Sequence, residues 1–124
     1  ATARDYARFG YLYLRDGVWN GHRVLPAGWV DFARSPGSDS HTDIYGAGWW
    51  ITPPHGQGRP IHATIRDNAL ADVFMAQGHE GQLTTVIPSR DMVIVRLGLF
   101  DDTGQNWDNL GDWMAKVIEA FPRT

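Results

Sequence analysis

The chain has 124 residues, of which 43% are hydrophobic and 20% charged, and its formal net charge is −3. This length and composition are those of one globular domain with one core. The acidic balance disfavours a nucleic-acid binder, no stretch is apolar enough for a membrane span, and the absence of cysteine excludes disulfides, a cysteine-based zinc site and a thiol nucleophile. We therefore expect residues 1–124 to form a single unit.

The beginning of the chain predicts a helix followed by a small hairpin. From Thr2 to Asp16, apolar residues recur at spacings of three and four, which indicates an amphipathic helix. Thr2 with Asp5 is a capping-box pattern at its start. Asn20-Gly21 favours a type I′ turn, because both central residues of that turn need a positive φ angle. The hairpin that contains it, Val18 to Arg23, has very short arms.

The next segment predicts a short helix, a loop and a strand. The helix runs from Pro26 to Arg34, since proline suits the first helical position. Its apolar side consists of Trp29, Val30 and Phe32. Residues 35–43 are polar and predict a loop. Tyr45 to Thr52 predicts a strand, in which Gly46 and Gly48 indicate close approach by another backbone or by a ligand.

The second half predicts an irregular excursion over residues 53–63, a helical turn over residues 64–71, and then three strands. The strands run from Asp72 to Gly78, from Gln82 to Ile87 and from Met92 to Leu99. The links between them, His79 to Gly81 and Pro88 to Asp91, are so short that neighbouring strands must be antiparallel. The last strand is almost continuously apolar, which favours a central position covered on both faces.

A second long helix is predicted from Trp107 to Phe121, and Pro122 ends it. Its apolar face consists of Trp107, Leu110, Met114, Val117, Ile118 and Phe121. Together these elements predict an α+β fold, in which an antiparallel sheet carries the two long helices.

Most motifs of catalysis and ligand binding are absent from the sequence. It contains no Gly-x-Ser-x-Gly, no phosphate-binding loop, no Ser-x-x-Lys and no His-Glu-x-x-His. The five histidines lack the spacing of metal ligands, so we expect no metal and no other cofactor. Lys116 is the only lysine, and its place on the polar side of the last helix favours a solvated role.

Four blocks resemble one family in the right order. The blocks are Ala1 to Leu14, Trp19 to Val30, Tyr45 to Trp50 and Ala76 to Leu97. They are similar to the C-terminal part of the serine β-lactamase-like, penicillin-recognising hydrolases, and they resemble most the class C-like esterases and the 6-aminohexanoate-oligomer hydrolases. The resemblance covers nearly the whole chain except residues 53–71. It implies the C-terminal part of a β-lactamase/transpeptidase-like fold.

In that family, the nucleophilic serine, its lysine and an assisting tyrosine lie upstream of the segment that this chain resembles. None of their motifs occurs here. The resemblance therefore implies a fragment that is inactive alone and that either needs a missing N-terminal half or self-associates. The parent enzyme would cleave a small-molecule ester or amide, or a β-lactam, through an acyl-enzyme. Either the periplasm or the cytoplasm of a bacterium fits such an enzyme.

The resemblance also implies site residues. The family has Lys-Thr-Gly or His-x-Gly at the end of one core strand, and His79-Glu80-Gly81 occupies that place. His79 would face the substrate carbonyl, and Gly81 would let the backbone approach the acyl group without a Cβ. The Gln82 amide would be one of two oxyanion-hole donors. A histidine here holds an anionic substrate less strongly than lysine would, because histidine is largely neutral near pH 7.

Alternatives stay open for these residues. The segment from His79 to Gly81 also fits a plain hairpin turn. Trp49 and Trp50 belong either to the core or, together with Glu80, to the substrate cleft. A non-catalytic binding or scaffold module, whose tryptophan-rich face meets another protein, is the second functional hypothesis. Neither hypothesis includes nucleic acid or a membrane as a partner.

Overall fold

A computed structural model of the chain describes residues 1–38, 45–51, 72–101 and 103–123. The predicted excursion over residues 53–63 and the predicted helical turn over residues 64–71 lie outside these ranges. The same holds for part of the predicted loop over residues 35–43.

The described residues form a small hairpin, a four-stranded sheet and three helices. The helices are α1 (Ala3–Leu14), α2 (Trp29–Ala33) and α3 (Gly104–Glu119). The strands are β1 (Val18–Trp19), β2 (His22–Arg23), β3 (Trp50–Ile51), β4 (Phe74–Gln77), β5 (Leu83–Ile87) and β6 (Met92–Arg96). Strands β1 and β2 form the hairpin, and the sheet has the order β3-β4-β5-β6 with every neighbour antiparallel. The predicted α+β fold is confirmed.

Helix α1 begins as its sequence predicts. The Asp5 N–H donates to the Thr2 hydroxyl oxygen at 3.3 Å, and the Thr2 N–H donates to the Asp5 carboxylate at 2.8 Å. Both halves of the capping box are therefore formed. Hydrogen bonds from the Thr2 backbone and hydroxyl lower the pKa of the Asp5 carboxyl, because they stabilise its charged form.

The hairpin that follows α1 is also confirmed. Asn20 and Gly21 both have positive φ angles, 49° and 78°, as a type I′ turn requires. The turn joins two short antiparallel arms, in which Trp19 pairs with His22.

Helix α2 starts three residues later than predicted and exposes part of the predicted apolar side. Gly28, with a φ angle of 83°, is the N-cap of α2. Pro26 lies before the helix, and its carbonyl accepts a hydrogen bond from the Trp29 N–H. Val30 is buried as predicted, but Phe32 is 61% exposed. The prediction was wrong because a five-residue helix can turn only one narrow stripe toward the core.

In the predicted strand from Tyr45 to Thr52, residues 45–49 form a tight turn that leads into β3, and Thr52 lies outside the described residues. The Gly46 N–H donates to the Trp49 carbonyl at 2.8 Å, and Tyr45 pairs back onto Trp50. Gly48 permits this reversal with a φ angle of 86°. At Gly46 a Cβ atom would collide with the carbonyl oxygen of Ala33. The prediction of close approach by another backbone is therefore right at this glycine, although β3 begins at Trp50 and not at Tyr45.

Strand β5, and not β6, is the strand covered on both faces. All five residues of β5 are buried, whereas β6 has only Ile94 buried and lies at the edge of the sheet in the described part of the chain. The prediction of a central last strand was wrong because an apolar run alone does not say which neighbour covers it.

The two faces of the sheet have separate apolar clusters, since successive side chains of a strand point to opposite faces. The α1 face is formed by Tyr13, Val30, Ala33, Trp49, Ile51, Phe74 and Val86. The α3 face is formed by Val73, Met75, Leu83, Ile87, Ile94, Leu110, Met114 and Ile118. Helix α3 begins and ends a few residues before its predicted bounds, so Phe121 lies beyond it and is exposed. In the described residues, no helix has the length and apolar character that crossing a bilayer requires.

We predict that the isolated chain self-associates through the β6 edge, because an uncovered strand edge pairs with other chains. Light scattering at micromolar concentration should report species larger than a monomer. The substitution Val95→Lys should reduce the association, since a lysine on an edge strand opposes pairing. Leu99→Lys, which changes an exposed apolar side chain outside the strand, is the matched control and should reduce it less. A monomer at every concentration would contradict the prediction.

Candidate active site at the His79–Gly81 turn

The predicted site motif lies in a tight turn, His79–Gly81, between β4 and β5. The Gly78 N–H donates to the Gln82 carbonyl at 2.7 Å and closes the turn. Glu80 and Gly81 both have positive φ angles, 57° and 72°. A non-glycine residue in this region is uncommon and is held there by its surroundings. The turn is therefore more constrained than a plain hairpin link.

Gly81 has a packing reason to be glycine. A Cβ atom at this position would collide with the ring of Phe100, which lies against the Gly81 backbone. Gly81 is buried, and Phe100 packs against the cluster on the α3 face and against the ring of Trp107. The absence of a side chain at this position thus lets the turn pack directly against the Phe100 ring.

Arg96 supports the same turn, a role that no pattern in the sequence indicated. Its Nη1 donates to the Gly81 carbonyl at 2.9 Å and lies 3.4 Å from the Glu80 carbonyl. The guanidinium carbon lies 4.9 Å from the centre of the Phe100 ring. An arginine at the end of a strand is common, so only the fold reveals that it reaches back to the turn.

His79 and Glu80 are neighbours in space as well as in sequence. The His79 imidazole is 86% exposed, and its Nε2 lies 3.3 Å from a Glu80 carboxylate oxygen. The Glu80 side chain is partly buried. His79 is therefore positioned to meet a ligand from solvent, and Glu80 is the group that can orient its ring.

The Gln82 amide is weakly engaged. Its N–H donates to the His79 carbonyl at 3.4 Å, which is beyond the usual range of N–H···O bonds. The side chain of Gln82 is better anchored, because its Nε2 donates to the same carbonyl at 3.1 Å. The geometry leaves the backbone amide able to exchange its long bond for a better acceptor.

A cleft of about 270 Å³ adjoins this turn. It is bordered by Tyr6, Phe9, Ala76, Gln77, Gly78, Gln82, Leu83, Thr84 and Leu97. None of these side chains carries a charge at neutral pH. Tyr6 and Phe9 are exposed residues of α1. The cleft combines flat apolar walls with amide side chains.

The two tryptophans predicted as possible cleft residues separate in the structure. Trp49 is 2% exposed and packs between Tyr13 and Phe74 on the α1 face, so its ring presents no surface to a ligand. It is a core residue because the turn before β3 directs it into the sheet. Trp50 is partly buried, packs edge-on against Tyr45, and lies against the cluster on the α3 face.

The six tryptophans do not form one face. Trp19 packs on Tyr11, Trp29 on Phe32, and Trp107 on Phe100, at separate places in the fold. This dispersal gives no support to a tryptophan-rich interaction face. In the described ranges, no three histidine or acidic side chains come together as a metal centre would need.

An antiparallel sheet with a helix on each face, and a His-x-Gly turn between two core strands, matches the arrangement expected from the β-lactamase-like hydrolases. No family model matches the chain. It is 32% identical over 121 residues to the 6-aminohexanoate-dimer hydrolase of Paenarthrobacter ureafaciens. A solved structure from Bacillus anthracis, provisionally named a 6-aminohexanoate-dimer hydrolase, matches with a TM-score of 0.59 and 26% identity. These findings confirm the resemblance to this branch of hydrolases.

The matches cover this chain and its relatives unequally. They include 88% of this chain but 27% of the Paenarthrobacter protein, and 98% of this chain but 30% of the Bacillus structure. The chain thus spans less than a third of the length of either relative.

We predict that Gly81→Ala lowers the free energy of unfolding by about 2–4 kcal/mol, because it adds the strain of a positive φ angle to a collision with Phe100. Gly21→Ala is the matched control, since Gly21 has a similar φ angle but open space where a Cβ would lie. It should cost about 1–2 kcal/mol. Denaturant unfolding measures both, and equal losses would show that Phe100 does not constrain the turn.

Proposed function

We propose that this chain is part of a serine hydrolase that cleaves an ester or amide through an acyl-enzyme, and that residues outside the chain supply the nucleophile. The match to a hydrolase, which covers 88% of this chain at 32% identity, carries this proposal. The absence of a Ser-x-x-Lys pair from the sequence and the partial coverage of both relatives support the second half of it. We call the longer protein the parent hydrolase.

In the proposed reaction, the serine oxygen of the parent hydrolase attacks the substrate carbonyl carbon and forms a tetrahedral intermediate. The Gln82 N–H donates to its negatively charged oxygen, and one such donor contributes about 3–4 kcal/mol to the transition state. The base beside the serine, which takes the hydroxyl proton during the attack, gives that proton to the leaving amine or alcohol as the bond to the carbonyl carbon breaks. Water hydrolyses the acyl-enzyme and regenerates the serine. The long bond of the Gln82 amide supports this role, because little must be broken to release it.

The proposed substrate is uncharged where it lies in the cleft beside the turn. The aromatic walls of Tyr6 and Phe9 suit a flat or aliphatic chain, and the described residues that border the cleft include no cationic group to hold a carboxylate. The Paenarthrobacter relative is named for a dimer of an amino acid, which is joined by an amide bond. A linear amide or ester therefore fits the site, with any charged end of the molecule outside this cleft.

We predict that the chain alone is not acylated, since a serine needs an adjacent base to become a nucleophile. In the described residues, the Ser35 hydroxyl donates to the Asp31 carbonyl and the Ser89 hydroxyl to the Asp72 carboxylate. Neither arrangement includes a lysine. Incubation with a fluorophosphonate, followed by mass spectrometry, should show no adduct on the folded chain. Stoichiometric labelling of one serine would contradict the prediction.

We predict that His79→Ala lowers kcat/KM of the parent hydrolase for an ester by about ten- to a thousand-fold, as expected for a lost positioning or electrostatic donor. The melting temperature should change little, because the His79 side chain is almost fully exposed. His22→Ala, at an exposed position in the β1–β2 hairpin, is the matched control and should keep the parental rate. If His79→Ala hydrolysed the ester at the parental rate, the turn would not be part of the active site.

A further inference from the structure

Arg96 reaches the site turn from the end of a strand that is distant in sequence. It stands opposite Leu83 in the β5–β6 register, and Leu83 is the first residue after the turn region. Its Nη1 lies 2.9 Å from the Gly81 carbonyl oxygen and 3.4 Å from the carbonyl oxygens of Glu80 and Gly98. One guanidinium nitrogen thus faces three carbonyl groups, and the bond to Gly81 is the short one.

The Gly81 carbonyl and the Gln82 N–H belong to the same peptide group. A peptide group is planar, and in the trans form its C=O and N–H point in opposite directions. A donor that holds the Gly81 oxygen therefore also fixes the direction of the Gln82 hydrogen. A positive charge at the oxygen also polarises the group, which strengthens the N–H as a donor.

Phe100 restricts the same peptide group from another direction. Its ring fills the space beside the Gly81 Cα, and the Arg96 guanidinium lies over that ring at 4.9 Å. The planar guanidinium can stack on a ring and donate along its edge at the same time, which a lysine ammonium cannot do. Gly81 has the backbone freedom to rotate, and these two side chains remove it.

We propose that Arg96 is a positioning residue of the site: by holding the Gly81 carbonyl, it fixes and polarises the Gln82 amide as an oxyanion donor. This inference rests on the proposed function of that amide. The role of Arg96 is realised in the transition state, because the Gln82 N–H meets full negative charge only there. Its loss should therefore lower kcat without weakening substrate binding.

The test compares Arg96→Gln with Arg90→Gln in the parent hydrolase, with an uncharged ester as substrate. Arg90 is a matched control because it also donates to two backbone carbonyls, those of Ile118 and Phe121, at the far end of β6. Arg96→Gln should lower kcat and kcat/KM by the same factor, about 10- to 100-fold, with KM unchanged. Arg90→Gln should stay within about twofold of the parental kcat. Arg96→Lys should lose less activity than Arg96→Gln, since lysine keeps the positive charge but lacks the planar guanidinium.

An NMR measurement separates this inference from the proposed function. The Gln82 amide signal should move in Arg96→Gln and stay in place in Arg90→Gln. An unmoved signal, or equal kinetics in the two variants, would overturn the positioning role while His79→Ala still reports on the hydrolase. A rise in KM alone would also overturn it. A parental rate in His79→Ala would instead overturn the proposed function of the turn.

Discussion

Strand β5 is completely buried, and its burial determines where the helices and the neighbouring strands lie. Its five residues alternate between the α1 face and the α3 face, so each helix must cover one side of this strand. Its neighbours β4 and β6 are then placed by antiparallel pairing on either edge. The His79–Gly81 turn enters β5 directly, and its position is therefore fixed by the most buried strand of the sheet.

One side of the His79–Gly81 turn is held by packing, and the other side is open to solvent. Below the turn, Phe100 and Arg96 hold the Gly81 peptide group against the α3 face. Above it, the His79 side chain is exposed and the Gln82 amide has only a long hydrogen bond. A group that is immobile yet poorly satisfied is suited to meet charge that develops during a reaction, because little reorganisation is needed at that moment.

Local patterns predicted local structure well, and tertiary contacts explain the errors. The capping box of Thr2 and the type I′ turn at Asn20 depend on residues a few positions apart, so the sequence was enough. The turn before β3 depends on the contact of the Ala33 carbonyl with Gly46; the glycine indicated a close approach, but only the fold shows that Ala33 makes it. For the site, the resemblance pointed to the turn, but the contribution of Arg96 joins residues 15 positions apart and required the fold.

A crystal structure of the parent hydrolase with a phosphonate ester bound would show whether the Gln82 amide donates to the oxyanion, since the phosphonyl group mimics the tetrahedral intermediate. We expect a phosphonyl oxygen about 2.9 Å from the Gln82 nitrogen, with Arg96 still on the Gly81 carbonyl. A phosphonyl oxygen held elsewhere, beyond hydrogen-bond distance of the Gln82 nitrogen, would contradict it.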